Sequence, residues 1–146
     1  MKTYSVKPSE ITRKWYVIDA SEKSLGRVST KAATLLLGKA KPMFSHHIDC
    51  GDYVVIVNAK NLVVTGKKEN QKMYYSHSGY PGGLKEMKFI DVMANNPSDI
   101  LFHAVRGMLP VNKLRAPRLA RLKIYNDSDH EHLAQKPIVL SLGSDK

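Results

Sequence analysis

Five consecutive apolar residues, Tyr53-Val54-Val55-Ile56-Val57, restrict the architecture of this chain more than any other feature. A strand with one face in water alternates apolar and polar side chains, because successive side chains point to opposite faces. An unbroken β-branched run offers no polar face, so it predicts a strand covered on both sides, as in a parallel sheet. Trp15-Tyr16-Val17-Ile18 is a second run of strand type, and Leu62-Val63-Val64-Thr65 a shorter one. Helical patterns alternate with these strands. Leu25, Val28, Ala32, Leu35 and Leu36 recur at helical spacing, and Gly38 and Pro42 give the stop signal. Residues 89–95 and 98–109 read as two further helices, the second introduced by Asn96-Pro97-Ser98-Asp99. A shorter helix is expected over 114–122, beginning near Pro117, followed by a small strand at Lys123-Ile124-Tyr125. Strands alternating with helices favour an α/β fold over a sandwich.

The 146 residues, 42% of them hydrophobic and 25% charged, suit one domain with a core of useful size. Residues 1–14 are polar, contain Pro8 and read as an extended N-terminal arm, so the domain is expected to occupy 15–146. Beyond Asp127 the tail is mildly acidic and is expected to end loosely. Between Gly66 and Lys88 the chain is polar, with Tyr74, Tyr75 and Tyr80 around His77-Ser78-Gly79-Tyr80-Pro81-Gly82-Gly83, a turn-rich loop or hairpin tip. The start has no apolar leader segment, and the run at 53–57 is too short to cross a bilayer, which points to the cytosol. A single cysteine, Cys50, excludes an internal disulfide and fits a reducing compartment.

Charge supplies the functional signal. Twenty-three Lys and Arg stand against thirteen Asp and Glu, a net charge of +10, which favours polyanionic partners. Residues 106–125 carry Arg106, Lys113, Arg115, Arg118, Arg121 and Lys123 without one carboxylate. Like charges crowded on a short segment repel, so the neutralising anion is sought outside the chain. Arg118 and Arg121, three apart, are expected to project from one side of a helix and meet neighbouring phosphates, and exchanging both for Glu is expected to spare the fold. A second ridge is formed by Lys23, Arg27 and Lys31, and a third cluster by Lys39 and Lys41. The three tyrosines add surfaces on which unpaired bases can stack. A membrane-surface role is disfavoured, because no long amphipathic helix pairs a basic face with large aromatic anchors.

Other chemistries have plainer readings. Gly38-Lys39 and Gly66-Lys67 lack the GxxxxGK[ST] spacing of a nucleotide-binding loop, although the Lys67 and Lys68 turn can still grip a nucleic-acid backbone. His46-His47-Ile48-Asp49-Cys50 holds residue types of a metal or thiol site and gives the rival reading, an α/β enzyme. In an extended segment the two histidines point apart and cannot share an ion, and no third orienting group is identifiable for Cys50. His130-Glu131-His132 could share a face in a strand, but further ligands are not evident, and a solvated turn is the plainer reading. No metal, cofactor or small-molecule substrate is therefore expected.

Three blocks then point to a family. MFSHHIDCGDYVVIVNAKNLVVTGKK, YYSHSGYPGGLK and AVRGMLPVNKLRAPRLARLKIY, in this order, closely resemble large-subunit ribosomal protein L-thirteen of the bacterial type, from about Arg13 to Leu140. The resemblance implies a three-layer α/β single domain with a small parallel sheet flanked by helices, and no catalytic activity. It implies a cytoplasmic protein of the ribosome that binds large-subunit ribosomal RNA, meets neighbouring ribosomal proteins and joins early in subunit assembly. Its RNA-facing segments correspond to the Lys39 to His47 approach with Lys41 and His46, the Gly66 to Lys72 turn with Lys67 and Lys68, the His77 to Gly83 loop with Tyr80 and the preceding Tyr74 and Tyr75, and the Arg106 to Lys123 stretch. Three positions depart from the family pattern: Arg115 stands where Gly is common, Pro117 interrupts the usual run, and Cys50 stands where Thr is common.

Overall fold

A computed structural model describes residues 4–143. The first three residues of the expected arm and the last three of the expected tail lie outside the described residues. Strands β1 (Trp15–Asp19), β2 (Tyr53–Val57), β5 (Leu122–Ile124) and β6 (Ile138–Leu140) form one sheet in the order β5-β2-β1-β6. Every pairing in it is parallel, with Tyr16 opposite Val54, Val54 opposite Leu122, and Ile18 opposite Leu140. The unbroken apolar run at 53–57 thus lies inside the sheet, as its composition requires.

Alternation along the strands separates two cores. Ile18, Val54, Ile56 and Leu122 face the main core with helices α1 (Leu25–Leu37), α3 (Phe89–Asn95) and α4 (Pro97–Met108). Val17, Val55 and Val57 face the other way, against Trp15 and Tyr125. There the ring of His132 lies 4.8 Å from that of Trp15, so the segment after β5 makes a thin third layer. Helix α1 ends where Gly38 adopts a left-handed φ of +78° and its amide reaches Thr34 and Leu35 carbonyls. A side chain at Gly38 would meet the Cys50 carbonyl oxygen at 2.7 Å, so glycine is also needed for the close pass of the chain beneath the helix.

Three expectations change. The tail after Asp127 is not loose throughout, because residues 138–140 add β6 to the edge of β1. The run 62–65 makes one bridge, Val63 to Ser24, instead of a strand. Helix α5 (Arg115–Ala120) begins before Pro117, which sits in the first turn, where the amide it lacks has no helical partner. Residues 66–88 fold into a short helix α2 (Lys68–Gln71) and an antiparallel hairpin of β3 (Met73–His77) and β4 (Leu84–Lys88), a sheet of its own. The expected arm is anchored: Val6 is buried, and the Lys14 amide donates to Asp52 Oδ1 at 2.8 Å.

Candidate nucleic-acid interface

Two of the arginines that open the question of the missing counter-charge do not face outward. Arg118 is 1% and Arg121 6% exposed, contrary to the expectation that both project to outside phosphates. The carboxylate that the local sequence lacks is supplied by Asp49, 72 residues away. Arg121 Nη1 and Nη2 both donate to Asp49, the second at 2.6 Å, and the same side chain donates to the backbone carbonyls of Asp52 and Leu36 at 3.3 Å. Gly51 makes room for it, since a Cβ there would lie 1.8 Å from the Leu36 oxygen and 2.8 Å from Arg121 Nη2. Burial by itself raises the Asp49 pKa, but the hydrogen bonds and charge of Arg121, the Gly51 amide and Arg13 outweigh it and hold the carboxyl below its ordinary value. Glu at 118 and 121 would put two carboxylates against Asp49 in the interior, so the expectation that this exchange spares the fold is withdrawn.

Three further candidates are turned to structural use. Lys41 is half-buried, and its Nζ donates to Asp52 Oδ1 at 2.6 Å and to the Thr12 and Cys50 carbonyls at 2.8 and 3.0 Å. Arg115 clasps the end of α4, donating from Nη2 to the carbonyls of Arg106 at 2.7 Å and Leu109 at 3.2 Å, where a cation also suits the helix dipole. Tyr74 packs inward, 6.4 Å from Phe89 and 5.8 Å from His103, with Lys72 Nζ 5.2 Å over its ring. Burial raises its hydroxyl pKa. The sequence signal for the internal pairs was present: Asp49 and Asp52 are the only carboxylates between residues 23 and 68, and they immediately precede the most buried strand.

Six of the other cations gather in three adjoining clefts, each of which touches α1. The first, of about 490 Å³, brings Lys39 and His46 beside the loop after α4, with Asn112 and Arg118 in its wall. The second, of about 570 Å³, places Lys68 and Lys72 between the start of α1 and Met108, a residue that the first also touches. The third, of about 750 Å³, runs along Lys23, Arg27 and Lys31 and shares Ser24 and Gly26 with the second. Among the described residues, no Asp or Glu lines any of the three. The Lys23, Arg27 and Lys31 ridge, expected from the sequence to be basic, thus adjoins the cleft of Lys68 and Lys72.

Other candidates stay exposed but outside these clefts. His47 is exposed, its Nδ1 2.8 Å from Ser45 Oγ, while Lys67, Arg106 and Lys113 are exposed at turns and helix ends. Tyr75, in the middle of β3, and Tyr80, at the hairpin tip, are 64% and 76% exposed, and His77 Nδ1 accepts from the Gly79 amide at 2.9 Å, which braces the loop. Lys123 is exposed in β5 opposite Val55, on the sheet face turned away from the helices.

The rival chemistries lose their geometry. Cys50 is fully buried, its Sγ 3.6 Å from the Met43 carbonyl oxygen, and so is closed to a substrate. His132 Nε2 is 3.1 Å from the Tyr125 hydroxyl, and His130 Nδ1 accepts from the His132 amide at 3.2 Å, so both rings serve the layer over the sheet. No group of three or more His, Cys, Asp or Glu able to hold a metal ion is found among the described residues. No helix among them is long and apolar enough to cross a membrane.

Comparison with known proteins gives a single answer. The family model described as Ribosomal protein L13 matches residues 13–131. The chain is 50% identical to the large ribosomal subunit protein uL13 of Clostridioides difficile (strain 630), over 97% of its own length and 99% of that protein. It is 53% identical to the protein of that name from Dehalococcoides mccartyi, over 95% and 97%, and 51% identical to that of Alcanivorax borkumensis, over 97% and 100%.

Proposed function

The chain belongs to the ribosomal protein L13 family, and from that premise we propose that it is a structural component of the large ribosomal subunit, not an enzyme, that binds ribosomal RNA and supports early subunit assembly in the cytoplasm. The observation that carries this reading is the belt of clefts along α1, in which Lys23, Arg27, Lys31, Lys39, Lys68 and Lys72 are brought together with no carboxylate of the described residues in the lining. Phosphates draw counterions, and cations so placed release them on binding. Tyr75, Tyr80 and His77 give the hairpin exposed rings for unpaired bases, and His46, His47, Lys67, Arg106, Lys113 and Lys123 extend the basic surface. Contacts to phosphate position such a protein, and shape fit supplies selectivity. Neighbouring ribosomal proteins are further partners in this reading.

Binding is expected to depend steeply on salt. With about six to ten phosphates engaged, affinity for a large-subunit ribosomal RNA transcript should fall by roughly three to five powers of ten between 50 and 200 mM salt, by analogy with DNA. A filter-binding titration checks this, and a nearly flat salt dependence overturns phosphate-led binding.

A further inference from the structure

Asp49 is one carboxylate among three guanidinium groups: Arg121 takes both of its oxygens, Arg13 lies at 3.8 Å, and Arg118 Nε stands off at 3.6 Å. Arg118 Nε is buried without a hydrogen-bond partner, and that ion contact is its side chain's only one among the described residues. A buried donor on a charged group left unpaired is costly, so a fold that keeps one has an acceptor in view. The same side chain lines the 490 Å³ cleft, whose other polar groups are donors or cations: Lys39, His46 and the Asn112 amide, whose oxygen is already taken by the Leu114 amide at 3.1 Å. The cleft is thus a pocket suited to an anion, built on an interior guanidinium that stands beside Asp49 while the carboxylate's hydrogen bonds go to Arg121 and the Gly51 amide.

We propose that this cleft seats one phosphodiester of the bound RNA, with Arg118 as its buried anchor and Lys39, His46 and Asn112 around it; the assignment rests on the RNA-binding function proposed above. Arg is suited to the task because its planar fork can serve Asp49 on one edge and a phosphate on another. The experiment measures binding of a large-subunit ribosomal RNA transcript from 50 to 200 mM salt for the unaltered protein, Arg118→Met, Lys39→Gln and, as a charge control on the arm, Lys7→Gln. Arg118→Met and Lys39→Gln should each weaken binding roughly tenfold, the size of one hydrogen bond to a charged group, and lower the salt slope by about one. Lys7→Gln should change neither by a comparable amount. Lys39 is exposed, so its exchange remains decisive if Arg118→Met fails to fold. Unaltered protein that binds RNA while both variants bind equally well overturns the pocket alone. Unaltered protein that fails to bind RNA overturns the proposed function and the pocket with it. A parallel thermal unfolding series with inorganic phosphate against chloride, at matched ionic strength, separates the sources: stabilisation that Arg118→Met abolishes, with RNA binding unchanged in both variants, would make this a site for free phosphate and sink the RNA assignment.

Discussion

Asp49 carries one negative charge for three arginines, so its loss should matter more than the loss of any one of them. Removing a single partner from a buried pair leaves a charge in the interior uncompensated, at a cost of about 3 to 5 kcal/mol. Asp49→Asn is therefore expected to lower stability by about that amount at pH 7, read from urea unfolding. The pH dependence has a definite sign. A carboxyl whose folded pKa lies below its unfolded value contributes fully above the unfolded pKa, near 3.9, and ceases to contribute as pH falls through the folded one. Asp49 is lowered by Arg121, Gly51 and Arg13 against the opposing effect of burial, and Asp19 by Ser21 and Asn58 against the same effect. The unaltered protein should lose stability below about pH 4, and Asp49→Asn should show a flatter acid limb, with Asp19 as the remainder. A variant within 1 kcal/mol of the unaltered protein, with the same acid limb, would mean that Asp49 is not the keystone of the arginine cluster.

Helix α1 and strands β1 and β2 were legible because each carries its own period: helical spacing from Leu25 to Leu36 and continuous apolar runs at 15–18 and 53–57. Strand β6 was not, since it is three residues long, with Ile138 and Val139 exposed, and pairing with β1 alone makes it a strand. The site divided along the same line. Lys39, Lys68 and the Lys23 ridge were legible as exposed cations, whereas the inward turn of Arg118, Arg121 and Lys41 depends on carboxylates distant in sequence or beyond a turn of chain. Local pattern reports what a segment needs, not which segment supplies it. The hairpin illustrates independence of another sort. Strands β3 and β4 pair only with each other, and their tip is exposed, so residues 78–83 contribute little to the main core. His77 faces Leu84 across the ladder, the position for a two-residue turn. Replacing 78–83 with Asn-Gly should move the melting temperature by less than about 3 °C, equivalent to about 1 kcal/mol for a chain of this size, while weakening RNA binding through loss of Tyr80. A large drop in melting temperature by calorimetry would show that the loop supports the domain.

At the scale of the whole molecule, each neighbour in the four-stranded sheet is parallel, so each pairing waits for a crossover. The first strand closes against residues 138–140, and the second against 122–124. Such order has a consequence in time. Loop-closure entropy must be met before distant contacts reward it, and refolding is expected on the order of milliseconds to seconds. The single tryptophan reports directly on the central pairing, because Trp15 stacks on Tyr53 at 4.3 Å across β1 and β2. Stopped-flow fluorescence should show this slow phase, and completion within tens of microseconds would contradict it. Until the distant strands arrive, the Tyr53–Val57 run is an open apolar edge on which another chain can add. The hazard for a newly made copy is therefore another newly made copy, and the net charge of +10, read until now as an address for RNA, also keeps half-folded molecules apart while the sheet closes.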